Sequence, residues 1–156
     1  MKYTVSIDLE LPRDRVVELF DDPDNLPKWQ EGLVRFEPLE GTPGQPGARS
    51  RLVFQMGKRR IEMIETITER DLPDVFSGTY DAKGVHNVVS NRFLELGPQR
   101  TRWESQNEFR FQGFMKLIGT LMKGSFPKQS LKYLQDFKAF AEEGKDVRDR
   151  ADAGGS

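Results

Sequence analysis

Polar and apolar residues alternate at the beginning of the chain, from Tyr3 to Leu11. This two-residue period puts every second side chain on one face and predicts a strand with one buried face. Pro12 ends the alternation, and the segment PRDRVVELFDD then predicts a short helix with Val16 and Phe20 among its apolar residues. A second short helical piece is predicted over DPDNLPKWQ, where the prolines keep it brief.

Strand-like segments continue through the middle of the chain and are separated by turn sequences. The predicted strands cover residues 33–39, 50–56, 58–69, 75–81, 85–96 and 102–111. The intervening segments EGTPGQPGA, DLPD, AKG and GPQ are rich in residues that favour turns. Because most of these links are short, the strands are expected to form an antiparallel meander.

The last predicted element is a helix over about residues 114–143, in which apolar residues recur every three or four positions. Within the segment GSFP, Ser125 is suited to cap a new helix and Pro127 cannot donate an internal hydrogen bond. A kink or break is therefore expected near residues 124–127. The polar tail after it, residues 144–156, lacks periodicity and is expected to be disordered.

Lysines recur along this terminal helix, and they indicate either a solvated face or a face that meets a membrane surface. They are Lys116, Lys123, Lys128, Lys132 and Lys138. A solvated face is the ordinary interpretation of lysines opposite an apolar stripe.

Composition excludes several classes of site. The chain has 156 residues, which suits one domain, and it has no cysteine and a single histidine. Disulfides and cysteine-ligated metals are therefore excluded, and no metal or cofactor is expected. A net charge of −1 with interspersed signs argues against a nucleic-acid partner. No apolar run approaches the roughly 18 residues of a membrane span, and no signal peptide is recognisable, so we expect a soluble cytoplasmic protein.

The predicted order of elements resembles the helix-grip fold of the START and birch-pollen-allergen superfamily. VSIDLELPRDRVVELFDDPDNLPKWQEGL is similar to the opening of bacterial polyketide-cyclase/dehydrase-like members. GTPGQPGARSRLVF resembles their glycine-rich turn, and NEFRFQGFMKLIG resembles their passage from the last strand into the terminal helix. The resemblance implies an α+β domain over residues 1–143, in which a curved antiparallel sheet of about seven strands grips the carboxyl-terminal helix around an apolar cavity.

Polar residues on predicted inward faces are the candidate ligand contacts. Glu65 shares a strand face with Ile61, Met63 and Ile67. It is either a cavity acid with a raised pKa or an edge residue paired with an arginine such as Arg92.

Buried amides pose a similar alternative on the last two strands. Asn107 shares a predicted inward face with Trp103 and Ser105, and Asn91 has the inward phase on the strand before. Such groups either bond to one another and to water, or they orient a polar group of a ligand.

The predicted ligand-binding residues form two groups. Polar and aromatic lining is expected from Glu65, Tyr80, Asn91, Trp103 and Asn107, and an apolar wall from Met63, Leu117, Leu121 and Met122. The terminal helix region also contains Gly113, Gly119 and Gly124, which indicate either a flexible lid or relief of crowding against the sheet.

Three hypotheses for function follow. In the first, the protein binds or transports a lipid-like or other apolar small molecule, which requires a cavity and a movable lid. In the second, it is an enzyme resembling polyketide cyclases or dehydratases, with Glu65, Tyr80 or His86 acting on the substrate. In the third, it is a non-catalytic protein-interaction module with a filled core. We favour the first because no acid–base cluster or nucleophile motif is visible, and no catalytic residue is predicted. The oligomeric state stays open, with a homodimer among the alternatives.

Overall fold

The structure, a computed structural model, describes the backbone of residues 1–154 and the side chains of residues 1–150. The strands are β1 (Lys2–Leu9), β2 (Leu33–Glu40), β3 (Arg49–Met56), β4 (Arg59–Asp71), β5 (Val75–Ala82), β6 (Val85–Gly97) and β7 (Arg100–Phe111). The helices are α1 (Arg13–Asp21), α2 (Leu26–Trp29), α3 (Met115–Leu121), α4 (Ser125–Glu143) and α5 (Val147–Gly154), with a 3-10 turn at Pro23–Asn25.

The seven strands form one sheet in the order β1-β7-β6-β5-β4-β3-β2. Every neighbouring pair is antiparallel. The consecutive strands β2 to β7 make the predicted meander, while β1 pairs with β7, so that Lys2 lies opposite Glu108 and Leu9 opposite Thr101. The long helix α4 packs against β1. The predicted α+β architecture, a curved antiparallel sheet with a long carboxyl-terminal helix, is confirmed.

The main core is an aromatic cluster between the sheet, the short helices and α4. The ring centroid of Phe137 on α4 lies 5.1 Å from that of Trp103 on β7 and 5.2 Å from that of Trp29 on α2, and each ring pair is close to perpendicular. The ring centroids of Phe20 on α1 and Trp103 are 5.3 Å apart. Edge-to-face contacts of this kind add about 0.5–1.5 kcal/mol to the burial of each ring pair. This cluster fixes α4 on the sheet at one end of the fold.

The terminal helical region is broken, as the sequence predicted. Helix α3 ends at Leu121 and α4 begins at Ser125, so the interruption occupies residues 122–124 and includes the glycine of the GSFP segment. Ser125 does not cap α4 with its side chain, because its hydroxyl donates instead to the carbonyl oxygen of Met122 at 2.7 Å. Pro127 lies in the first turn of α4, where no internal hydrogen bond is lost.

The tail differs from the sequence prediction of disorder over residues 144–156. Residues 147–154 form α5, Val147 at its start is buried, and both guanidinium NH2 groups of Arg150 donate to the carboxylate of Asp136, at 3.1 and 3.2 Å. The buried Val147 side chain and the ion pairs of Arg150 with Asp136 and Glu31 hold this segment in place, and none of them produces a periodic sequence pattern. Residues 155 and 156 of the predicted tail lie outside the described residues. The domain boundary at residue 143 stays a prediction.

Candidate functional site

A cavity of about 420 Å³ lies between the inner face of the sheet and α4. Its walls are mainly apolar and include Leu52, Phe54, Ile61, Val89, Phe109 and Leu134. The aromatic cluster borders it through Phe20, Trp29 and Trp103. The inward-facing residues of strands β3 to β7 therefore give this cavity a mainly apolar wall.

Six of the predicted site residues lie in the wall of this cavity. They are Met63, Glu65, Tyr80, Asn91, Trp103 and Asn107. The strand register brings them together: Glu65 on β4 pairs with Tyr80 on β5, and Asn91 on β6 pairs with Ser105 on β7. Because paired residues in adjacent strands point to the same face, all of these side chains share the inner side of the sheet. Their contact with a ligand stays a prediction.

Three predicted wall residues lie elsewhere, and that part of the prediction is corrected. Leu117, Leu121 and Met122 do not line the cavity, and 56%, 73% and 45% of their surfaces are exposed. The prediction expected a kink or break near residues 124–127 but continued the same apolar stripe on both sides of it. Because the helix breaks at residues 122–124, the orientation of α3 is independent of the stripe on α4.

The glycines of this region show what positions α3. Gly119 is buried, and a Cβ atom there would lie 2.7 Å from a ring carbon of Phe111 on β7. At Gly124 a Cβ atom would meet no atom within 4 Å. Gly113 has a φ of +60°, a conformation that suits the turn between β7 and α3 and that glycine adopts without strain. Relief of crowding thus accounts for Gly119.

Glu65 and Tyr80 form a hydrogen-bonded pair in the cavity wall. The Tyr80 hydroxyl donates to Oε2 of Glu65 at 2.9 Å, so Tyr80, rather than Arg92, is the partner of this carboxyl. Burial raises the pKa of Glu65, and the hydrogen bond from Tyr80 partly opposes that rise. The pKa of Tyr80 is raised well above its usual value, first by burial and then by the neighbouring carboxylate. The pair can therefore hold a proton on the carboxyl while the phenol stays neutral.

The buried amides bond within the wall itself. Nε1 of Trp103 donates to Oδ1 of Asn91 at 2.9 Å. The Asn107 amide nitrogen donates to Oγ of Ser105 at 3.1 Å and, at 3.4 Å, to the Ser105 carbonyl oxygen. These bonds to Trp103 and Ser105 fix the orientation of both amides, and they support the interpretation that polar groups of the wall satisfy one another in part.

Polar residues on β1 and α4 also line the cavity and were not predicted as site residues from the sequence. The Tyr3 hydroxyl on β1 lies 2.6 Å from Oγ of Ser130 on α4, and both residues line the cavity. Gln129 and Tyr133 line it one turn apart on the same helix, and burial raises the pKa of Tyr133 to about 12. For Gln129, Ser130 and Tyr133, the sequence pattern that could have revealed them is the helical spacing of polar residues within the apolar stripe of α4.

A polar contact at the rim of the cavity joins three segments. Arg70 on β4 donates two hydrogen bonds to the Asp21 carboxylate at the end of α1, at 2.8 and 2.5 Å. The same guanidinium donates to the carbonyl oxygen of Gly44 at 3.1 Å. Asp21 and Gly44 are lining residues. We call Arg70, Asp21 and Gly44 the rim clasp, because they tie the loop after β2 to α1 beside the cavity.

The remaining sequence candidates lie outside this site. His86 is not a lining residue, and its Nδ1 atom lies 2.5 Å from Oδ1 of Asp81. No group of three or more histidine, cysteine or acidic residues suited to a metal occurs among the described residues. In the same part of the chain, no helix is long and apolar enough to cross a membrane.

Solved structures with similar folds span almost the whole chain. TTHA0849 from Thermus thermophilus has a TM-score of 0.75 and 15% identity, with 92% of this chain and 99% of that chain covered. The ZhuI aromatase/cyclase from a Streptomyces species has a TM-score of 0.76 and 16% identity, with 91% and 93% covered. Truncated norcoclaurine synthase from Thalictrum flavum has a TM-score of 0.72 and 13% identity, with 92% and 94% covered. At these identities the likeness shows the shared helix-grip fold alone.

A family comparison covers the same region at the level of sequence. No curated protein matches the chain. The family model described as polyketide cyclase / dehydrase and lipid transport matches residues 1–141, the segment that forms the sheet, the cavity and nearly all of α4. The chain therefore belongs to the polyketide cyclase/dehydrase and lipid transport family, within the START-like superfamily.

Proposed function

We propose that the protein binds a lipid-like or other predominantly apolar small molecule in the cavity, with a polar group of that molecule at Glu65 and Tyr80. The observation that carries the proposal is an apolar cavity of about 420 Å³ with one hydrogen-bonded acid–phenol pair in its wall. Small-molecule sites usually have volumes of about 300–1,000 Å³ and a few polar groups on apolar walls.

The walls provide the driving force for binding. Each Å² of apolar surface removed from water contributes roughly 25 cal/mol. Burying the apolar part of a ligand against Leu52, Phe54, Val89 and Leu134 therefore favours a bound state without any charged contact. A cavity of this kind also weighs against the hypothesis of an interaction module with a filled core.

The acid–phenol pair gives the ligand an orientation. A buried carboxyl is costly unless it is hydrogen-bonded or neutral, and the raised pKa of Glu65 favours the neutral form. A neutral carboxyl can donate to a ligand carbonyl or accept from a ligand hydroxyl. The apolar remainder of the ligand then lies along the rest of the wall.

The test begins with the protein purified under native conditions. Organic extraction followed by mass spectrometry identifies any small molecule present in stoichiometric amount, and the purified protein is then titrated with a fluorescent fatty-acid analogue. A stoichiometric extract, or saturable probe binding at one site per chain, supports the proposal. Absence of both contradicts it and favours the interaction module.

A second candidate function rests on the same pair. An enzyme resembling a polyketide cyclase or dehydratase would use Glu65 to protonate a ligand hydroxyl, whose C–O bond breaks to release water. The Glu65 carboxylate would then take the proton of the adjacent carbon as the C=C bond forms, with Tyr80 holding the acid in place. This candidate requires that Glu65→Gln abolishes turnover of a poly-β-keto substrate analogue while probe binding is retained. Turnover that is unchanged in this variant excludes Glu65 as the acid.

A further inference from the structure

Helix α3 exposes large apolar side chains to solvent. Phe114, Leu117, Leu121 and Met122 are 74%, 56%, 73% and 45% exposed. We call these four residues the apolar face of α3. Single exposed apolar residues are ordinary on a protein surface, but a contiguous group marks a surface that meets a partner or a membrane.

The geometry of α3 makes this face contiguous. Phe114, Leu117 and Leu121 are three and four positions apart, which stacks them on one side of a helix. The opposite side is occupied: Gly119 is buried against Phe111, and Met115 packs over Gly84 in the β5–β6 hairpin. The apolar face of α3 therefore points away from the protein, and between 45% and 74% of the surface of each of its residues is exposed.

The charge of the chain segment that contains this face is of one sign. Residues 109–135 contain five basic residues and no acidic residue, although the whole chain has a net charge of −1. The basic residues are Arg110, Lys116, Lys123, Lys128 and Lys132. Arg110 pairs with Glu108 and Lys132 with Glu31. Within the described side chains, Lys116, Lys123 and Lys128 have no acidic partner.

We propose that the apolar face of α3 docks onto the surface of an anionic lipid bilayer. An apolar stripe flanked by lysines is the pattern of a segment that lies in the membrane interface, with its apolar side chains among the acyl chains and its ammonium groups at the phosphates. The unpaired lysines complement a negative surface. A second copy of the chain is disfavoured as the occupant, because a two-fold contact would bring the same lysines against each other.

The docking surface is close to the cavity but does not depend on what the cavity holds. Phe111, on which Gly119 packs, lies 5.5 Å from Phe126 between ring centroids, and Phe126 lines the cavity. The Phe111 ring therefore lies between Gly119 of α3 and Phe126 of the cavity wall. Docking involves the outer surface of the protein and not the cavity, and it is measured as the fraction of protein bound to vesicles.

The experiment is flotation of the full chain with vesicles of phosphatidylcholine alone and of phosphatidylcholine with phosphatidylglycerol. The first variant is Phe114→Gln/Leu121→Gln, which changes only exposed side chains. The second is Lys116→Gln/Lys123→Gln. A matched control, Val34→Gln/Leu39→Gln, replaces exposed apolar residues on β2. Circular dichroism and thermal unfolding check that each variant folds.

The wild-type chain is expected to float with the anionic vesicles and to bind neutral ones much more weakly. Removing the exposed Phe and Leu side chains should lower the partition coefficient at least about tenfold for each residue. Each lysine removed should lower it about fivefold on anionic vesicles, and high salt should weaken wild-type binding. The control variant should float like the wild type.

Three results would overturn the proposal. The first is that the folded wild-type chain does not float with anionic vesicles, and the second is that the α3 variants and the β2 control float equally. The third is that sedimentation shows a dimer which Phe114→Gln/Leu121→Gln converts to monomer while vesicle binding is absent, since the face would then be an interface between copies of the chain. None of these results depends on whether a ligand is extracted from the cavity.

Discussion

The Tyr80 hydroxyl donates a 2.9 Å hydrogen bond to Glu65, a carboxyl that lies on the apolar inner face of the sheet. Neither group has its usual pKa there, since burial raises the pKa of both. The pair lies in a wall that is mainly apolar but also contains polar side chains such as Asn91 and Asn107. Its protonation state therefore decides whether the cavity presents a neutral or a negative site.

Stability should depend on pH through Glu65. Because the folded-state pKa of Glu65 is raised, its contribution to stability is fully present below the unfolded-state pKa and is lost as pH rises through the folded-state value. Glu65→Gln removes this loss. We expect the variant to unfold at a higher temperature than the wild type at neutral pH and at a similar temperature under acidic conditions. Thermal unfolding across this range measures the difference, and a gap that does not change with pH would contradict the linkage.

Tyr80→Phe should move the titration of Glu65 upward. The hydrogen bond from Tyr80 stabilises the ionised carboxyl, so its removal leaves burial unopposed and raises the pKa of Glu65 further. Carbon-13 NMR of the glutamate carboxyl groups follows the titration directly. An unchanged or lower midpoint in the variant would show that the hydrogen bond does not act on the acid.

A larger side chain on the inner face of β6 should block ligand uptake. Val89 lines the cavity, whereas its neighbour Val88 lines a shallow groove on the outer face of the sheet. Val89→Phe should lower the affinity for the fluorescent fatty-acid analogue at least about tenfold, because the ring occupies space that the ligand needs. Val88→Phe is the matched control and should bind like the wild type. Equal binding by both variants would place the probe outside the cavity.

Gly119→Ala should destabilise the protein by about 1–3 kcal/mol, because the added methyl group overlaps the Phe111 ring. Gly124→Ala is the control, since a Cβ atom there meets nothing within 4 Å and the residue has a helical φ of −73°. Urea denaturation gives the free energy of unfolding of each variant. A loss at Gly124 equal to the loss at Gly119 would contradict the role of the Phe111 contact.

Arg70→Lys should loosen the rim of the cavity. Lysine cannot reproduce the two-pronged contact with Asp21 while also reaching Gly44, so the loop of residues 41–48 loses its tie to α1. Amide hydrogen exchange in that loop should accelerate, and probe binding and release should both become faster. Arg49→Lys is the control, because Arg49 pairs at 3.6 Å with Glu40 on the exposed surface. Unchanged exchange in the loop would exclude the clasp as a barrier to entry.

The sequence predicted the strands well because each carries its own two-residue period and is bounded by turn residues. It also placed Glu65 and Asn107 on inward faces, since strand phase is a local property. The partner of Glu65 was not accessible to this reasoning. The β4–β5 register shifts between Ile67 and Glu69, and this shift decides which β5 residue lies opposite Glu65. No pattern in the sequence indicates where such a shift occurs.

The orientation of α3 could not be derived from periodicity for a related reason. A helical stripe identifies an apolar face but not what it meets, and the apolar side chains of α3 proved to be exposed. The contact that orients α3, Gly119 on Phe111, joins two elements through the absence of a side chain. Helix α5 was also not predicted from the sequence. The contacts that hold it, the buried Val147 and the Asp136–Arg150 pair, are isolated residues that produce no periodic pattern.

The pairing of β1 with β7 sets an order of events for folding. Strands β2 to β7 can assemble hairpin by hairpin, since each pairs with its neighbour along the chain. Strand β1 is made first during synthesis, yet its partner β7, Arg100–Phe111, emerges about a hundred residues later. Its apolar face must stay unpaired through that interval. We therefore expect closure by β1 to be the slow, non-local step of folding and the nascent chain to be most exposed to aggregation before it.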